Sequence, residues 1–314
     1  MLRWLVVGIG DLSRKRAIPA ILQEPRSRLH AVLTRDLKKA KGYPGVRVYT
    51  SLDEALDTDE FDAVYVASPV ALHGPQTMAC LRAGKHVLCE KPVARDFSEA
   101  QCMTALAAEK RRQLGIAYYR RLFPKLTRAK SLIAKGVIGQ PVLAEANCHR
   151  WLPGSDRGGW LLEPAMAGGG PLYDTASHRI DLFNFLFGRP TRATGFLSNA
   201  VHRIGVEDSA TLLIGYAGGV HGIIDVRWNS RVTRDQFRVV GTEGDIDLDP
   251  LGGDLLRCAG REEHLPSNPN VQYPLIENFV DAVLEGAPLT CPGEEAIWTD
   301  WVTERVMWQA RHRE

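Results

Sequence analysis

No stretch of this 314-residue chain approaches the roughly 18 uninterrupted apolar residues that a bilayer crossing requires. The short apolar run near the N-terminus is broken by Gly8 and Gly10 too early to act as a secretory signal. A cytoplasmic protein without membrane attachment is therefore expected. An excess of one charge is also missing, since 39 Lys and Arg stand against 37 Asp and Glu with the basic residues scattered. That leaves no electrostatic case for a nucleic-acid partner. The six cysteines (Cys80, Cys89, Cys102, Cys148, Cys258, Cys291) lack paired metal-ligand spacing, so reduced packing thiols and no metal centre are expected. What remains is an ordinary globular composition, 45% hydrophobic and 24% charged, in a chain long enough for two domains.

The most informative stretch reads Gly84-Lys85-His86-Val87-Leu88-Cys89-Glu90-Lys91-Pro92-Val93-Ala94. A short β-rich run delivers Glu90 and Lys91 to its carboxyl end, and Pro92 confines Lys91 to extended geometry. Ligands of open parallel sheets bind beyond the carboxyl ends of the strands, so a lysine there can donate to a substrate hydroxyl or carbonyl. Taken alone, Lys91 reads rather as a solvated strand-end surface lysine. Its neighbours decide the matter.

The chain opens with an apolar strand running into Gly8-Ile9-Gly10-Asp11-Leu12-Ser13 and then a helix-compatible segment. This is the order of a dinucleotide turn: Gly8 for the tight turn, Gly10 for approach to a pyrophosphate, and the helix start at Asp11, Leu12 and Ser13 for free N–H groups. Ser13 stands where a third glycine is usual, and Pro19 interrupts the proposed helix. A second strand over 29–34 ends in Thr34-Arg35-Asp36. Uncharged Thr34 would not repel a 2′-phosphate and Arg35 could pair with one, so NADP(H) is favoured, with NAD(H) possible through Asp36. Strands then alternate with helices, Ser51 to Glu54 and Asp96 to Glu99 having capping-box spacing. The pattern predicts a doubly wound parallel Rossmann sheet over 1–119.

Gly8-x-Gly10, Ser68-Pro69 with His73, the Glu90-Lys91-Pro92 stretch and residues 118–124 together resemble the Gfo/Idh/MocA family of NAD(P)-dependent oxidoreductases. The likeness spans essentially the whole chain. It implies that Ser68, Pro69, His73 and Glu90 line the cofactor site, that Lys91 binds the reacting oxygen, and that the bond before Pro92 is often cis.

The second domain, expected over 120–314, is α+β with an open, mainly antiparallel sheet built from short runs between 193 and 240. Ala217-Gly218-Gly219 reads as a hairpin joint and the tryptophans of the last helix as core. A loop carrying Trp151, Arg157 and Trp160 suits a sugar, with aromatic faces for C–H surfaces and a guanidinium for hydroxyls, or is ordinary loop packing. After Gly168-Gly169-Gly170, Asp174 and His178 stand four apart, so one helix face can present a carboxylate and an imidazole to one hydroxyl. Spacing alone also permits a helix cap and a surface histidine. The family resemblance implies that His178 transfers a proton and Asp174 holds substrate, with Tyr118 adding to the substrate side. The expected activity is hydride transfer between NADP(H) and a hydroxyl or carbonyl carbon of a sugar, polyol or cyclic diol, in a homo-oligomer (dimer or tetramer) joined through the C-terminal sheet. Two alternatives remain: a glycoside hydrolase with an internally recycled NAD, and a non-catalytic NADPH-binding sensor.

Overall fold

The computed structural model describes residues 1–152 and 159–312, so Arg157 lies outside the described residues. Two compact units divide the chain: Met1–Tyr119 with Asn268–Ile297, and Arg120–Ser267 with Trp298–Glu314.

In the first unit, β1 (Leu2–Val7), β2 (Ser27–Leu33), β3 (Arg47–Tyr49), β4 (Ala63–Val66), β5 (His86–Cys89) and β6 (Leu114–Ile116) form one parallel sheet. Their order, β3-β2-β1-β4-β5-β6, is that of a Rossmann sheet, with the winding reversed between β1 and β4. The strands are apolar on both faces because both are covered: every residue of β4, and Trp4 through Val7 of β1, is buried. Helix starts follow the capping residues. Ser51 Oγ accepts the Glu54 N–H, and Asp96 accepts that of Glu99 at 2.8 Å.

Pro19 does not break its helix. A π-type turn over Ser13–Ala17, in which the Ile18 N–H reaches Ser13 O, adds a residue, and Pro19 then sits near the start of the α-helix Ile18–Gln23.

The expectation of one continuous second domain over 120–314 differs from the observed division. Asn268–Ile297 belongs to the first unit because its contacts are there. Phe279 packs on Trp4 with ring centroids 5.3 Å apart, Arg26 bonds Asp281 and Glu285, and Gly115 bridges to Pro292.

The second unit holds β7 (Pro141–Trp151), β8 (Pro190–Ser198), β9 (Ser209–Tyr216), β10 (His221–Arg227), β11 (Asn229–Gly241), β12 (Asp245–Asp247), β13 (Leu255–Cys258) and β14 (Arg261–His264), ordered β14-β13-β12-β11-β7-β10-β9-β8. All pairs are antiparallel except β7 with β10. Gly218 and Gly219 have positive φ and turn β9 into β10 as a hairpin. Residues alternate along β10, with Gly222, Ile224 and Val226 buried, and a Cβ at Gly222 would meet the Phe183 ring at 2.7 Å. Helix Ser177–Phe187 thus covers this face.

Of the tryptophans in the last helix, Gly293–His312, Trp298 and Trp301 are half-buried and pack on each other, while Trp308 lies outside the core. Its buried side chains are Ala296, Ile297, Thr299, Asp300, Val302, Thr303 and Val306, and Trp308 is 61% exposed, stacked on His312.

Candidate active site

The glycine turn carries two glycines for two reasons. Gly8 has φ +91°, and a Cβ there would lie 2.7 Å from Ala67 O, so both the turn and the close approach to the end of β4 demand glycine. Among the described residues, chain neighbours aside, a Cβ at Gly10 would meet no atom within 4 Å. No packing contact among the described residues requires glycine there, and such open space is what a pyrophosphate needs to approach the backbone. Ser13 is fully buried and its Oγ donates to Gly8 O at 2.6 Å, tying the turn shut where a third glycine would only have packed. Leu12 is half-buried; Asp11 is exposed and paired with Arg14 and Lys15, which lower its pKa.

At the end of β2, Thr34 is buried and its Oγ1 accepts the Asp36 N–H at 3.1 Å. The Asp36 carboxylate in turn accepts the Lys38 N–H at 3.0 Å, capping the next helix, while Arg35 is exposed.

At the end of β4, Ser68 Oγ donates to Gln76 and Pro69 is half-buried. His73 is buried with Nδ1 2.8 Å from Pro92 O and Nε2 2.9 Å from Ser68 O. Burial lowers its pKa, and a neutral imidazole has one N–H to share between these carbonyls. His73 therefore braces the loops after β4 and β5 against each other and presents almost no surface.

Glu90, 7% exposed at the end of β5, accepts from Tyr65 Oη at 2.6 Å and Gln272 Nε2 at 3.3 Å on one oxygen, and from the Lys91 N–H at 3.2 Å on the other. Burial raises its pKa; the bond from Tyr65 and the charge of Lys91 pull it back. Lys91 is half-buried, and its bond to Pro92 is cis.

In the second unit the glycine triplet is a packing device. Cβ atoms at Gly168 and Gly169 would strike the Tyr173 ring at 2.7 and 2.6 Å, and one at Gly170 would strike the carbonyl of Glu207. Buried Glu207 accepts the N–H groups of Gly170 and Leu172 at 2.8 and 3.0 Å. The chain then makes a π-type turn, Leu172–Ala176, and enters the helix Ser177–Phe187. Asp174 lies in the turn and His178, buried, in the first helical turn. Arg150, from β7, donates to the Asp174 carboxylate at 2.7 Å with its guanidinium 5.5 Å from the Trp228 ring centroid. The helix is held by Asp181, bonded through both oxygens to buried Arg121, and by Arg179, bonded to Asp235 at 2.7 Å.

Two aromatic residues expected on the substrate side are placed otherwise. Trp151 follows Arg150 in the strand and so points to the opposite face, against His202 and Arg231. Tyr118 is fully buried at the end of β6 and has no surface to offer. Trp160 is exposed.

Residues 2–118 match the model of the oxidoreductase family with NAD-binding Rossmann fold, GFO/IDH/MocA, and residues 126–247 match the GFO/IDH/MocA C-terminal domain. The chain is 30% identical over 312 residues to 1,5-anhydro-D-fructose reductase of Ensifer adhaerens, covering 95% of this chain and 93% of that protein. The chain belongs to the Gfo/Idh/MocA oxidoreductase family. It is also 30% identical over 254 residues to trans-1,2-dihydrobenzene-1,2-diol dehydrogenase of Homo sapiens, covering 79% of this chain and 74% of that one. The crystal structure of aldose-aldose oxidoreductase from Caulobacter crescentus, complexed with glycerol, is similar with a TM-score of 0.88 at 25% identity, covering 100% of this chain and 98% of that one.

In this Gfo/Idh/MocA chain, four residues on which the candidate site depends escaped the sequence reading. Strand alternation through 141–151 would have separated Arg150 from Trp151. Tyr65, Glu207 and Gln272 carry no local signal, since their partners are distant in sequence.

Proposed function

We propose that the protein is an NADP(H)-preferring oxidoreductase that moves hydride between the nicotinamide and a hydroxyl- or carbonyl-bearing carbon of a sugar, polyol or cyclic diol. The observation that carries this reading is the Glu90-Lys91 pair at the carboxyl end of β5, in the half of the sheet across the switch point from Arg35. Related proteins that reduce anhydrofructose or oxidise dihydrobenzene diols favour the substrate class.

Gly8, Gly10 and the N–H groups at Asp11, Leu12 and Ser13 would hold the pyrophosphate, with Ser68, Pro69 and Glu90 toward the nicotinamide and His73 fixing their loops. The bound nucleotide supplies the hydride acceptor or donor. In oxidation His178 takes the hydroxyl proton at its imidazole, Lys91 Nζ donates to the developing oxyanion, and Asp174, oriented by Arg150, holds the substrate; reduction reverses the steps. The converse division of labour between Lys91 and His178 uses the same groups. Trp160 is proposed to contact the substrate, as is Arg157 on the strength of its residue type alone.

The NADP(H) preference rests on the Asp36 carboxylate being engaged by the Lys38 N–H while Arg35 is exposed. Assembly as a dimer or tetramer is proposed through the outer face of the second sheet, and the setting is cytoplasmic.

Fluorescence titration with NADPH and NADH tests the cofactor, and keto sugars, aldoses and cyclic diols followed at the nicotinamide absorbance test the reaction. NADPH should bind more tightly, and Arg35→Ala should erase most of the difference. Equal affinities in the wild type would refute the preference; binding without turnover of any substrate would refute the enzyme.

A further inference from the structure

Glu90 sits in a shell made almost wholly of donors. Tyr65 Oη and Gln272 Nε2 converge on one oxygen, and the Lys91 N–H on the other. Tyr65 and Gln272 are themselves fully buried, so their positions are set by packing. The Lys91 N–H and the Gln272 amide supply hydrogens, and the Tyr65 hydroxyl, which can donate or accept, is placed to donate a third, all opposing the burial that raises the Glu90 pKa. The cluster is shaped for a carboxylate, in a place where burial alone would favour the neutral acid.

A fixed anion at this strand end acts unequally on the two forms of a nicotinamide nucleotide. The oxidised ring is cationic and the reduced ring neutral, so a nearby carboxylate attracts one and is almost indifferent to the other. Differential affinity for two states shifts the balance between them by the same factor. Lys91, next in sequence, acts in the opposite sense, and Glu90 offsets it. We propose that the Tyr65, Glu90 and Gln272 cluster biases the bound nucleotide toward its oxidised form, with Glu90 facing the nicotinamide and Tyr65 and Gln272 as positioning residues that keep it charged. This rests on the cofactor reading given above, and it assigns Glu90 a part in the hydride equilibrium separate from proton transfer.

The test is the dissociation constant of oxidised and reduced nucleotide, measured by fluorescence for both the NADP and the NAD pair, in wild type, Glu90→Gln, Tyr65→Phe and Gln272→Leu. Glu90→Gln should lower the ratio of oxidised to reduced affinity by about tenfold or more, mainly by weakening the oxidised form. Tyr65→Phe and Gln272→Leu should move it the same way by about two- to fivefold. Parallel weakening of both forms, as expected of a merely structural cluster, would overturn the proposal. So would an unchanged ratio in Tyr65→Phe and Gln272→Leu should Glu90→Gln not fold. A wild type that binds neither nucleotide would remove the cofactor reading and this inference with it, and is distinct from one that binds both with a ratio insensitive to the substitutions.

Discussion

His86 shows how one backbone contact fixes a protonation state. Its Nδ1 accepts the Gln113 N–H at 3.1 Å, so that nitrogen carries no proton, and burial pushes the imidazole down to about 4. The unfolded chain, near the ordinary 6.5, takes up the proton first, so stability present at neutral pH is lost as the pH falls from 6.5 toward about 4. His86→Asn keeps an acceptor for the same N–H without titrating. Its urea midpoint should fall less than the wild type's between pH 7 and 4.5; an equal fall would contradict the assignment. Arg150 makes a different residue-level case. Because it bonds Asp174 from β7, Arg150→Met should raise KM for the carbonyl substrate about tenfold while leaving the NADPH dissociation constant unchanged. Steady-state kinetics beside a nucleotide titration separates the two, and weakened NADPH binding would argue that Arg150 serves the cofactor instead.

Among the elements, the turn between β1 and its helix separates structural from ligand-directed glycine. Gly8 is held by positive φ and by the carbonyl of Ala67, whereas Gly10 faces open space. Gly8→Ala should therefore cost roughly 1–3 kcal/mol of stability. Gly10→Ala should leave the melting temperature in place yet weaken nucleotide binding about tenfold or more, the methyl group filling room kept for the pyrophosphate. A Gly10→Ala protein with wild-type nucleotide affinity would show that the turn serves no ligand. The helix bearing His178 is preorganised differently: Glu207 ties down the glycine triplet before it, while Asp181 and Arg179 anchor its body to Arg121 and Asp235. A helix so anchored holds its backbone in place without help from a ligand.

For the whole molecule, the outer face of the second sheet leaves apolar side chains uncovered. Phe196 on β8 is 74% exposed, with Leu213 on β9 and Ile223 on β10 in adjoining strands of the same face. If this face joins subunits, Phe196→Asp with Leu213→Asp should convert the native assembly to monomers in sedimentation or native mass analysis; a wild type monomeric at micromolar concentration would remove the proposal. Much of the architecture could be read from sequence because its determinants are local. The strand, glycine turn and helix at Gly8 to Ser13, the caps at Ser51 and Asp96, and the alternation in β10 each act within a few residues. Longer-range partnerships could not be read that way. Arg150 meets Asp174 across 24 residues, Glu207 meets Gly170 across 37, and Gln272 reaches Glu90 across 182. Backbone patterning along the chain thus determined which elements form and where the reactive residue types stand. The return of Asn268–Ile297 to the first unit, and the shells around Glu90 and Asp174, were decided only by packing, because a buried or half-buried charge takes whatever partner the fold brings within reach.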